Sequence, residues 1–166
     1  MSQPPELCNF SGNWQAYEDE LYQIYLDTVV HAGLRFLGVP VRAQYRPDTR
    51  GKGFSFWHLI SEAPSKDNKN EDDRIPDFER CARISWVGWL INNIGNNGFS
   101  WWENKRGRDT HVVLWAEQHD FAVVLAKRHT QDDPKYYLLK TAYCLKPHRK
   151  KTFAKERDEF WLAKND

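Results

Sequence analysis

Three β-rich runs stand close together in the C-terminal half of this chain: "THVVLWAE", "FAVVLAKR" and "KYYLLKTAYCL". Only "QHD" and "HTQDDP" part them. Links that short cannot carry the crossover that parallel strands need. The runs therefore constrain residues 110–144 to a three-stranded antiparallel meander. "FSWWENKR" just ahead reads as a further strand at the edge of the same sheet.

The first half carries helical signals. Ser11 or Asn13 caps a helix in which Trp14, Tyr17, Leu21, Ile24, Tyr25 and Thr28 recur at helical spacing, and Gly33 ends it. "LRFLGVPVRAQY" turns strand-like, with Gly38 and Pro40 pointing to an edge or a bulge. "RPDTRGKG" reads as a basic loop, "FSFWHLIS" as a second strand, and residues 62–76 as a polar loop. Asp77 caps one helix over "FERCARISWVGWLINN", which "GNNG" stops. A closing helix spans 148–163, docked by Phe153, Phe160 and Trp161, and residues 1–12 read as a loose tail. The expected fold is a single α+β domain over 1–166: N-terminal helices, a mostly antiparallel sheet, and a C-terminal helix. With 40% hydrophobic residues in 166, the chain has enough apolar material for one core.

Several function classes drop out. Cys8, Cys81 and Cys144 share no metal-ligand spacing, and an odd number suits a disulfide framework poorly, so a reducing cytoplasm is expected. The N-terminus lacks the basic and apolar regions of a signal peptide, and no apolar run is long enough to span a membrane. His111, His119 and His129 lack zinc-motif spacing, and Asp72 and Asp73 sit in a polar loop. Walker, dinucleotide and nucleophile-elbow motifs are absent. Neither a metal nor a cofactor is expected.

Formal net charge is only +1, but cations cluster locally. Arg80 and Arg83 are three apart on the second helix, so they project to one side. Lys105, Arg106 and Arg108 follow Trp101 and Trp102 in "WWENKRGR". Cations interleaved with aromatics suit RNA, where phosphates meet charge and unstacked bases meet rings. The plain alternative is a solvated helix face and an ordinary hairpin turn. The C-terminal run "KPHRKKTFAKER" is balanced by Glu156, Asp158 and Glu159 and reads as a solvated face. In the last strand, alternation puts Tyr137, Leu139, Thr141 and Tyr143 on one face, and Tyr136, Leu138, Lys140, Ala142 and Cys144 on the other. A Thr and a Tyr two apart can share one phosphate, or can simply pack. His58, flanked by aromatics, is either a core histidine or a base held by a rigid wall.

Taken as a set, "FWHLIS", "RIPDFERCARISWVGWLIN", "WWENKRGRDTHVVLW", "FAVVLAKR" and "YYLLKTAYCL" resemble prophage- and mobile-element-encoded proteins grouped with the Barnase–EndoU–colicin–RelE-like ribonuclease superfamily. The resemblance covers residues 53–157 and leaves out the N-terminal helix and the length of the polar loop. It implies an α+β nuclease, toxin-like, that cuts RNA without metal by 2′-hydroxyl attack. It also implies RNA (tRNA, mRNA or a structured RNA) as partner, and an antitoxin or immunity protein as a second. His58 matches the histidine element, Thr141 the hydroxyl strand, Arg80 and Arg83 the basic helix, and Lys105 and Arg106 the "ENKRG" segment. The candidate catalytic set is therefore His58, Arg83, Thr141 and Tyr143. The candidate RNA-binding set is Arg80, Trp102, Lys105, Arg106 and Arg108. A non-catalytic RNA-binding or protein-interaction module on the same fold is the competing reading, and a phage protein that inhibits or recruits a host factor is a third.

Overall fold

The computed structural model of the chain describes residues 3–129 and 135–165. Asn13 starts α1 (Trp14–Tyr25) by accepting a hydrogen bond from the Ala16 amide. A π-helical turn over Leu26–Val30 prolongs the helix, and Gly33, at φ +63°, ends it. The strand-like segment that follows is a tight hairpin of β1 (Arg35–Phe36) and β2 (Val39–Arg42). Its two turn residues, Leu37 and Gly38, both have positive φ, which matches the twist of the flanking strands.

"FSFWHLIS" is not a strand. Residues Phe54–Ile60 form α2, and only Ser61–Glu62 is extended, as β3. Seven residues that are nearly all apolar read equally well at either period. The helix wins because it sends Phe56, Trp57, Leu59 and Ile60 into the core while Phe54 and His58, four apart, stack on the opposite side. The polar loop is closed by pairing of β3 with β4 (Ile75–Pro76) and carries one 3₁₀ turn, Glu71–Asp73.

The helix expected from Asp77 is two helices, α3 (Phe78–Ala82) and α4 (Trp86–Asn93). Between them, i→i+3 hydrogen bonds replace the α-helical pattern: Arg83 to Arg80, Ile84 to Cys81 and Trp86 to Arg83. That turn buries Ile84 beside Cys81, Trp86 and Val87. Gly88 is required in α4, because a Cβ there would lie 2.7 Å from the Thr28 carbonyl. The N-terminal tail is not loose from residue 5 onward. Trp86 Nε1 donates to the Pro5 carbonyl, the Cys8 amide to Ala82, and Tyr17 to the Cys8 carbonyl. Its backbone is tied to other elements rather than to itself, which composition does not reveal.

The meander holds. β5 (Phe99–Arg106), β6 (Asp109–Ala116), β7 (Phe121–Arg128) and β8 (Tyr136–Cys144) pair antiparallel in chain order. Most of the "HTQDDP" link lies outside the described residues. β2 adds parallel to β8, giving a six-stranded sheet in the order β1-β2-β8-β7-β6-β5. Val112, Leu114, Val123 and Leu125 face one core with α1–α4. Val113, Trp115 and Ala122 face a second core, which Phe153 of α5 (Pro147–Lys164) seals. The α+β class is thus as read from the sequence.

One irregularity decides what β8 presents. Leu125 pairs with Leu139, but Val124 pairs with Thr141, so Lys140 is an extra residue in β8. A bulge of this kind reverses the alternation beyond it. Tyr137 and Leu139 face the main core, while Thr141 and Tyr143 face the other side; Ala142 and Cys144 take the core side. The expectation that Tyr137, Leu139, Thr141 and Tyr143 share one face is corrected by that single residue. Thr141 and Tyr143 still point the same way.

Candidate active site

β2 pairs with β8 only as far as Leu138, and α2 packs against β8. The Thr141 hydroxyl donates to the His58 carbonyl at 3.1 Å and pins the helix to the strand. A cavity of about 410 Å³ opens where α2, the β6–β8 face and α5 meet. His58, His111, Arg106, Lys140, Thr141, Tyr143 and Arg149 all line it, over an apolar floor of Val113, Val124 and Phe153. Three cations face a single acid, Glu156. That carboxylate already accepts from Trp102 Nε1 and Asn104 Nδ2, each at 3.3 Å. The lining is therefore net positive, a field that favours anions.

His58 is held from three sides. Phe54 stacks on the ring at 4.1 Å, Glu71 Oε1 lies 2.8 Å from Nε2, and Thr141 fixes its backbone. A carboxylate only accepts, so Nε2 carries the proton and the neutral ring keeps its lone pair on Nδ1. Burial, and then the Arg74 guanidinium, push the His58 pKa below its ordinary value, while Glu71 pulls the other way. Burial and then Lys140 lower that of His111, with Asp109 opposing. Lys140 acts on both rings, which places the bulged residue electrostatically between them. Burial raises the Tyr143 phenol, against the pull of Arg149, so at neutral pH it remains a donor. Two imidazoles with lowered pKa values thus share a cationic pocket with a phenol.

The cavity brings together His58, Thr141, Tyr143 and Arg106 of the expected residues. The others are elsewhere. Arg83 lies in the α3–α4 turn, where it donates to the Glu79 carbonyl and sits over the Trp86 ring at 5.0 Å, so the catalytic placement expected for it is corrected. Arg80 bonds to the Ser61 carbonyl and pairs with Asp77 and Glu62, lining a neighbouring cavity. Trp102 is fully buried against Phe153 and Trp115, so it has no face to offer a base. Lys105 and Arg108 are exposed at the β5–β6 turn, outside the cavity. Thr141 also changes part. Its one proton goes to the His58 carbonyl, so it positions the histidine rather than donating to a phosphate.

His111, Lys140, Arg149 and Glu71 were missed. Alternation along β6 already puts His111 with Val113 and Trp115 on the face that Thr141 reaches. Lys140 needed the bulge, Arg149 stood in a run that reads as a solvated face, and Glu71 stood in a loop of solvated acids. No three His, Cys, Asp or Glu side chains among the described residues are grouped to hold a metal ion. No helix among them is long and apolar enough to cross a membrane. Set against known proteins, the chain matches no family model, no curated protein and no solved structure.

Proposed function

We propose that the protein is an endoribonuclease, toxin-like, that cleaves RNA by attack of the 2′-hydroxyl on the adjacent phosphorus and needs no metal to do so. The observation that carries this reading is the pairing of His58 and His111 in one pocket with Lys140, Arg106 and Arg149. The reaction asks for a base, an acid and cations around a phosphate that gains negative charge. His58 takes the 2′ proton through the ring nitrogen that Glu71 leaves free. The O2′–P bond forms and the P–O5′ bond breaks. His111, protonated once a bound phosphate raises its pKa, gives its proton to the leaving 5′ oxygen. Lys140, Arg106 and Arg149 meet the charge on the non-bridging oxygens, and the Tyr143 phenol donates to one of them. The products are a 2′,3′-cyclic phosphate and a free 5′-hydroxyl. The superfamily resemblance of residues 53–157 supports the same chemistry.

The test is a short RNA with one cleavage site, in which the nucleotide 5′ to that site is replaced by its 2′-deoxy form. Loss of cleavage at that site alone is expected. Continued cleavage there means that the 2′-hydroxyl is not the nucleophile. Tight binding of both RNAs with cleavage of neither makes the protein a binding module.

A further inference from the structure

His58 does not end the site. Its ring also lines a second cavity, of about 460 Å³, walled by the 63–74 loop. Lys66, Lys69 and Arg74 face into that cavity against one carboxylate, Glu71, which is already committed to His58. Lys66 and Lys69 are exposed, and among the described residues neither has an ion-pair partner. Asp67, Asp72 and Asp73 belong to the same loop but do not line the cavity. The loop is ordered by its own side chains: Asn68 Oδ1 accepts from the Asn70 amide, Asn70 Oδ1 from the Asp72 amide, and Asn68 Nδ2 donates to Asp73. Arg74 is fixed by two hydrogen bonds to Ser61. Arg74 and the loop that carries Lys66 and Lys69 are therefore ordered before any ligand arrives.

A third cavity adjoins the site on the other side, sharing Tyr143 and Arg149. Its cations, Arg80, Lys146 and Arg149, meet an equal number of acids, Glu62, Asp77 and Glu79. Of the two cavities that adjoin the central pocket, the one past His58 carries the net positive charge. We infer that the 63–74 loop is a subsite for single-stranded RNA flanking the cleaved bond, with Lys66, Lys69 and Arg74 on the phosphates of the next nucleotides. This rests on the proposed reading of the central pocket as a phosphate site, but its test does not need cleavage.

The probe is a fluorescent 2′-O-methyl hexanucleotide, which cannot be cut by 2′-hydroxyl attack, titrated by anisotropy over a range of salt. Each phosphate contact on a single strand contributes about 0.7 to the slope of log affinity against log salt, so Lys66→Ala with Lys69→Ala should flatten that slope by about 1.4. The advantage of the hexanucleotide over a dinucleotide should shrink with it. Lys151→Ala with Lys155→Ala removes equal charge outside all three cavities and should leave the slope unchanged. An unchanged slope in the loop variant, an equal effect of the control pair, or no binding of the hexanucleotide by the wild-type protein overturns the subsite. A flattened slope in a protein that cuts no RNA keeps the subsite and removes the nuclease reading.

Discussion

His58 is set apart by its surroundings rather than by its sequence neighbours. A core histidine would be sealed, whereas this ring keeps 23% of its side-chain surface exposed and borders two cavities. His58→Ala and His111→Ala should each lower RNA cleavage by about 10²–10⁴-fold, the usual worth of a general acid or base. Glu71→Gln should cost less but should move a limb of the pH–rate profile. Glu71 raises the His58 pKa, so its loss lowers that pKa and shifts the base limb to lower pH. A carboxylate with a merely structural part would change the rate without shifting the limb. The same two histidines set an acid sensitivity of the fold. Their pKa values lie below the ordinary 6.5 in the folded protein, so below that pH the unfolded chain binds more protons. Stability is therefore full above about 6.5 and falls as pH drops toward the folded-state values. Denaturant midpoints at pH 7.5 and 5.5 should differ more for the wild type than for a protein with both histidines changed to Gln.

At the scale of elements, what was legible followed periodicity, and what was hidden followed single-residue events. The meander was readable because three apolar runs have short links. Its key irregularity was not, since the bulge at Lys140 arises from pairing with β7 and leaves no mark in "LLKTAY". Tyr143 and Thr141 kept their shared face because both lie beyond the bulge. Helix α2 was misread because aromatic density suits a strand as well as a short buried helix. Arg83 was drawn into the site by the resemblance of its basic helix, and Trp102 by its place beside the cations of "WWENKRGR". Arg83 lies over Trp86, and Trp102 is the centre of the second core. That core is what holds α5 and hence Arg149 over the pocket. Phe153→Ala should cost about 3–5 kcal/mol in stability, as large-to-small changes at buried aromatics do, and should weaken RNA binding with it. Thr141→Val keeps the shape but loses the bond to the His58 carbonyl, so a loss of about 1 kcal/mol is expected in denaturant unfolding.

At the scale of the whole molecule, a net charge of +1 hides an uneven surface. The central and loop cavities each carry three cations against one acid, and the third cavity is balanced. On the proposed reading, such a chain would gain affinity for RNA locally, without the general stickiness of a strongly basic protein. The central claim is the chemistry in the first of those cavities. Its most direct measurement is to incubate the purified protein with total RNA in excess chelator and to analyse the new ends. New fragments with 2′,3′-cyclic phosphate and 5′-hydroxyl ends are the result this account predicts. Fragments that form only when a divalent ion is restored, or that carry 5′-phosphate ends, would contradict it.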